Sequence, residues 1–211
     1  RTPGFQTWLV QRVTGYLASE LNTRVELESI DIEFFKTLRL KGLYIEDLHH
    51  DTLLYAGEIS SVIEMFAPGE NRIFLGGIEL TDATVKLQKY KNEKGLNFKF
   101  LVDYFDTGKK DTFPTPKFDF NPGEIKLTNV QFVYRDNRYD DHFKGVDFED
   151  IRVKNLEATI DDIRFESDTV YANIQNLSFV EKSGFRLEYL ETNAKFSPVN
   201  MDFENLLLKT E

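Results

Sequence analysis

An eight-residue phrase recurs along this chain and commits it to a sheet. In Ile125-Lys126-Leu127-Thr128-Asn129-Val130-Gln131-Phe132, apolar and polar residues alternate except at the centre, where two polar residues stand together. The same pattern is written in Leu38-Arg39-Leu40-Lys41-Gly42-Leu43-Tyr44-Ile45, in Ile78-Glu79-Leu80-Thr81-Asp82-Ala83-Thr84-Val85 and in Ile151-Arg152-Val153-Lys154-Asn155-Leu156-Glu157-Ala158. Alternation of period two marks a half-buried strand. The central pair shifts the parity by one, and a β-bulge absorbs that shift while keeping every apolar residue on one face. A two-residue hairpin turn would do the same, but Thr suits the first position of such a turn poorly. A bulge is therefore predicted. Four copies at unequal spacing predict a sheet that grows strand by strand.

Only one long helix is legible. Phe5, Trp8, Leu9, Val13, Tyr16, Leu17 and Leu21 recur at intervals of three and four, after the breaker Thr2-Pro3-Gly4 and before a stop at Asn22. Its polar face carries no Lys, which favours packing on the sheet over lying on a membrane. Trp8, Leu9, Val13, Tyr16 and Leu17 are expected to cap one end of the sheet's apolar face near Val25 and Leu27. The chain then divides into a helix over 1–23 and a repetitive sheet over 24–211.

From Arg24 onward one strand follows another. Val85 and Leu87 run into Asn92-Glu93-Lys94-Gly95, and Phe98 and Phe100 return, which predicts a hairpin. Residues 103–124 hold Pro114, Pro116 and Pro122 and read as a crossing or edge segment. Parity slips again at Asp161-Asp162 and at Gln175-Asn176. The fold class is mainly β: a long antiparallel curled sheet with one N-terminal amphipathic helix.

A sheet of about a dozen strands with a single helix leaves an apolar face to cover. It can close on itself as a sandwich or barrel, or stay an open gutter whose floor is covered by acyl chains. An uncovered face of that extent drives aggregation. In the open arrangement the expected floor begins with Val25, Leu27, Val85, Leu87, Phe98 and Phe100. It continues through Leu127, Val130, Phe132, Val153 and Leu156 to Ile160, Phe165, Ile174 and Phe179. Lys86, Lys99, Gln131, Glu157, Arg164 and Gln175 are expected to face water. The alternative is a structural sandwich or solenoid module with a filled core and no lipid.

The chemistry-bearing residues offer little else. Asp and Glu number 36 against 26 Lys and Arg, a net charge of -10, which disfavours nucleic acid as a partner. There is no Cys, so thiolate metal sites and disulfides are excluded. His49-His50 beside Asp47 and Asp51 reads as a solvated turn, because adjacent strand residues point to opposite faces. Asp136, Asn137, Asp140 and Asp141 lack the Gly and terminal Glu of a calcium loop. No catalytic residue, metal or cofactor is predicted. No apolar run of about 18 residues is present to span a bilayer.

Several phrases resemble the start of the periplasmic part of the TamB branch of the AsmA-like family, in its Bacteroidetes-type form. They are Phe5-Gln6-Thr7-Trp8-Leu9, Phe35-Lys36-Thr37-Leu38-Arg39-Leu40-Lys41-Gly42-Leu43-Tyr44-Ile45-Glu46-Asp47 and Asp51-Thr52-Leu53-Leu54-Tyr55-Ala56. Ile78-Glu79-Leu80-Thr81-Asp82-Ala83, Asn97-Phe98 and Glu181-Lys182-Ser183-Gly184-Phe185 match as well. The resemblance implies a β-groove that moves phospholipid across the bacterial periplasm. It further implies an inner-membrane anchor helix preceding Arg1 and an Omp85-type, TamA-like outer-membrane partner reached through a further C-terminal part. It carries over no point site, because the family has a lined channel.

Overall fold

The computed structural model describes residues 3–33, 36–67, 72–106, 117–120, 123–140, 145–166, 169–197 and 200–211. Helix α1 spans Pro3–Leu21. It stops where expected: Asn22 takes a φ of 52°, and Thr23 N–H donates to Ala18 O at 3.3 Å. A left-handed residue followed by that six-to-one bond is how a helix satisfies its last carbonyls. α1 packs against β1 (Val25–Glu26) and β2 (Ser29–Glu33). Leu21, Val25, Leu27 and Ile30 are buried there, and Val10, Gln11 and Thr14 share a shallow hollow with Val25 and Leu27. Of the expected capping residues, Tyr16 and Leu17 are half-buried; the side chains of Trp8, Leu9 and Val13 lie outside the described ones.

The remaining strands are β3 (Thr37–Glu46), β4 (Thr52–Ala67), β5 (Arg72–Lys89), β6 (Lys117–Phe120), β7 (Glu124–Asp136), β8 (Asp150–Glu166), β9 (Thr169–Glu181), β10 (Arg186–Phe196) and β11 (Met201–Thr210). With β1 and β2 they form one sheet, ordered β1-β3-β4-β5-β7-β8-β9-β10-β11, with β2 beside β3 and β6 beside β5. The sheet does not close: β1 and β2 lie on one edge and β11 on the other. Pairing is antiparallel except for β6 and β7, which run parallel to β5. A parallel pair needs a crossover; of the segment expected to cross, residues 107–116 and 121–122 lie outside the described residues.

Each copy of the phrase lies inside one strand, and its fifth residue is left-handed: Gly42 at φ 63°, Asp82 at 52°, Asn129 at 52° and Asn155 at 50°. The slips at Asp162, Asn176 and Asn205 repeat the conformation at 49°, 54° and 56°. Gly, Asn and Asp are the residues that visit this region at little cost, so these kinks are written locally. Register shifts, the mark of the predicted bulge, accompany Asn129, Asn155, Asp162, Asn176 and Asn205; at Gly42 and Asp82 both paired strands slip together and the ladders run through without one. Asn129 adds two contacts: its N–H donates to Glu157 Oε1 at 2.7 Å and its Nδ2 to Asp82 Oδ1 at 2.5 Å. Asn129→Val, a branched side chain at positive φ, is expected to cost about 2–3 kcal/mol, and Asn129→Gly under about 1 kcal/mol. Urea denaturation of the two variants checks the order; equal losses would mean that the bulge does not set the preference.

The expected hairpin at Phe98 and Phe100 is not formed. Asn97 alone returns to β5: its N–H donates to Gln88 O at 2.8 Å, and its Oδ1 accepts from Gln88 N–H at 2.9 Å. Phe98 then sits in a turn and Phe100 in helix α2 (Lys99–Asp106), where Lys99 pairs with Asp103 one turn on. Phe98, Leu101 and Phe105 stand three and four apart, so a helical period competed with the alternation that had suggested a strand. Lys99, expected to face water from a strand, therefore opens the helix.

Candidate functional site

Register partners in a sheet share a face, so the ladders spell out rows of side chains running across the strands. One row is Val25, Ile45, Leu54, Val85, Phe132 and Val153. A second is Ile30, Leu40, Ile59, Leu80, Leu127 and Ala158. Beside them run Ile78, Ile125, Ile160 and Ile174. Leu87 pairs with Tyr134, Val130 with Leu156, Phe165 with Val170 and Phe179 with Leu187. The ladders thus bring Val25, Val85, Leu87, Leu127, Val130, Phe132, Val153, Leu156, Ile160, Ile174 and Phe179 onto one apolar face, which Phe98 and Phe100 do not join. Leu27 lies between β1 and β2, and the side chain of Phe165 is outside the described ones.

This face has little above it. Among the described residues, strands pack on their sheet neighbours, and the other packing is α1 on β1 and β2 and α1 on α2. Burial comes from within the sheet: Ala56, Ala83 and Val130 are neighbours across three strands, ringed by Leu43, Ile59, Leu80, Leu127 and Leu156. Val85, Leu87, Phe132, Ile160, Ile174 and Phe179 remain half-buried. The accessible surface is 13808 Å² for 24.6 kDa, against about 10,000 Å² for a compact monomer of that mass.

The opposite face is polar. Arg39 meets Glu33 and Glu58, Lys126 meets Glu79 at 3.2 Å, and Lys195 meets Asp202 at 3.8 Å. Lys86, Gln131, Glu157, Arg164 and Gln175 share it, as the alternation predicts. Exposed pairs of this kind add little stability each. Their placement makes the sheet two-sided.

One end of the sheet carries buried carboxylates, Asp47, Asp136, Asp150 and Glu181. Asp47 is fully buried. Its Oδ1 accepts from the N–H groups of His49 and Asp51, and its Oδ2 from the Tyr90 hydroxyl at 2.7 Å and Asn97 Nδ2 at 2.9 Å. Burial and the Asp47 carboxylate push the Tyr90 hydroxyl pKa well up, so Tyr90 stays a donor. His49 stands exposed in this turn, its Nε2 2.6 Å from Glu93 Oε1 and its ring 3.7 Å from that of Tyr90. The Asp47-x-His49 and Asp51 spacing, two and four residues apart, was the available signal for a carboxylate-capped turn.

Further along the same end, the Arg138 guanidinium holds the Asp136 carboxyl down at about 2. Burial alone would raise Asp150, but hydrogen bonds from Arg152 and Lys182 outweigh it and leave the group lowered. Glu181 is likewise lowered, burial being outweighed by the Ser183 hydroxyl and N–H. Asp140 is exposed and Asp141 lies outside the described residues. Among the described residues no group of three or more His, Asp or Glu could hold a metal ion, and no helix is long and apolar enough to cross a membrane. No protein-family model matches the chain, and neither a curated protein nor a solved structure does.

Proposed function

We propose that the apolar face is the floor of a groove that carries phospholipid, with acyl chains on the floor and the ion-paired face toward water. The observation that supports this most is the continuity of the apolar rows from Val25 to Val153 and on through Ile174: α1 covers only the β1–β2 end, and Val85, Phe132, Ile160 and Ile174 stay half-buried among the described residues. In a filled sandwich, Phe132, Ile174 and Phe179 would be buried by a second sheet. The family resemblance supplies the setting: a segment of an inner-membrane-anchored protein of the bacterial periplasm, working with an Omp85-type outer-membrane partner in envelope biogenesis. On this reading the chain is a carrier and not an enzyme. Native mass spectrometry of the chain purified from a bacterial envelope tests it. Masses corresponding to bound phospholipid are expected. Their absence, with the fold intact by circular dichroism, would favour the scaffold module with no lipid.

A further inference from the structure

The left-handed residues of β3, β5 and β7 fall in one line across the strands. Lys41 pairs with Glu58 and Leu43 with Ala56, so Gly42 lies opposite Gly57. Glu58 pairs with Thr81 and Ala56 with Ala83, so Gly57 lies opposite Asp82. A Cβ on Gly57 would stand 3.1 Å from that of Asp82, so glycine permits the approach. Thr81 pairs with Thr128 and Thr84 with Gln131, which sets Asp82 opposite Asn129. Asn129 Nδ2 donates to Asp82 Oδ1, and Asn129 N–H to Glu157 Oε1 on β8. On the other side Glu28 N–H donates to Lys41 O, in the gap between β1 and β2. The line therefore runs from Leu27-Glu28 through β3, β4, β5 and β7 to β8.

At this line each strand gives two consecutive residues to the polar side: Lys41-Gly42, Gly57-Glu58, Thr81-Asp82 and Thr128-Asn129. The extra residue lengthens that side, and the strand bends toward the apolar one. Burial follows the bend. Ala56, Ala83 and Val130, beside the line on the apolar side, are 0%, 1% and 3% exposed. Val85 and Phe132, two residues farther along β5 and β7, are half-buried. Among the described residues α1 packs on β1, β2 and α2 and on no other strand, so it is the sheet's own bend that buries the alanines. We infer, resting on the lipid-groove reading above, that this line is the crease of the groove and that the acyl chains lie along it, across the strands. Leu43 and Leu156 on one wall and Ile59, Leu80 and Leu127 on the other ring the buried residues and form the seat. From β3 to β8 the crease crosses five strands, about 19 Å, and one bilayer leaflet holds ~15 Å of hydrocarbon. Leu27 is buried beside α1 where the line meets the edge, so the helix closes that end of the crease.

Photo-crosslinking of the unaltered chain tests the direction of the chains. The probe is phosphatidylethanolamine with a diazirine in one acyl chain; after loading and irradiation, the adducts are mapped by peptide mass spectrometry. Leu87 and Tyr134 serve as references: they lie on the same face of β5 and β7, five residues beyond Asp82 and Asn129. Adducts at Leu43, Ile59, Leu80, Leu127 and Leu156 should exceed those at Leu87 and Tyr134 about fivefold, because a seated ligand buries most of its surface against its contacts. An even spread over the face, or adducts running along β5 and β7 to Leu87 and Tyr134, would overturn the crease and leave the groove standing. No adduct, with no lipid mass on the intact chain, would overturn both.

Discussion

Asp47→Ala is expected to destabilise the protein by about 3–5 kcal/mol, a large share of what a domain has to spare. Asp47 is buried completely and accepts four hydrogen bonds. Two of them close the turn between β3 and β4. The other two hold Tyr90 and Asn97, and Asn97 in turn ends β5 by its exchange with Gln88. Alanine would leave the turn N–H groups without that acceptor, while the Asn97 amide could still reach Lys86 O at 3.1 Å and Tyr90 could reach Asp51 Oδ2 at 3.1 Å. Bonds to a buried carboxylate are among the more costly to lose. Asp47→Asn should lie between parent and Ala, because its oxygen can keep the turn while its amide opposes Asn97. Urea denaturation of the three proteins decides it, and a loss below about 1 kcal/mol for Ala would show the network to be incidental.

On the apolar face, Phe132→Asp is expected to abolish most lipid retention in native mass spectrometry with only a modest loss of stability. Val130→Asp, two residues earlier on β7, is expected to unfold the domain. The difference lies in exposure. Phe132 is half-buried, so a carboxylate there can hydrate once lipid has left. Val130 is 3% exposed and wedged beside Ala83 and Ala56, where an unpaired carboxylate costs several kcal/mol. Gln131→Asp, on the ion-paired face between them, should change neither property. If Phe132→Asp unfolds the protein as Val130→Asp does, the face is covered in the working molecule and the groove reading fails.

The local devices of this fold were readable before any tertiary contact was known. The left-handed kinks at Gly42, Asp82, Asn129 and Asn155 follow from a parity slip at a residue tolerant of positive φ, and both signals lie within a few residues of each other. The stop of α1 at Asn22 is local in the same way. The sidedness of Phe132 and Gln131 needs only the strand period and the bulge.

What tertiary structure decided is everything that depends on which strand sits beside which. Alternation alone pairs Val85 and Leu87 with Phe98 and Phe100, across a short turn in the sequence. β5 in fact takes β7 as its parallel partner, after the exchange between Gln88 and Asn97 halts the return, Phe98 enters a turn and α2 takes up Phe100. Asp47 illustrates the same limit. Its turn is local, but its burial is made by Tyr90 and Asn97, residues whose return to the same end of the sheet no short window of sequence records. Period and turn chemistry act over a few residues. Partner choice is settled by which distant apolar rows and hydrogen-bonding groups meet once the whole sheet is assembled.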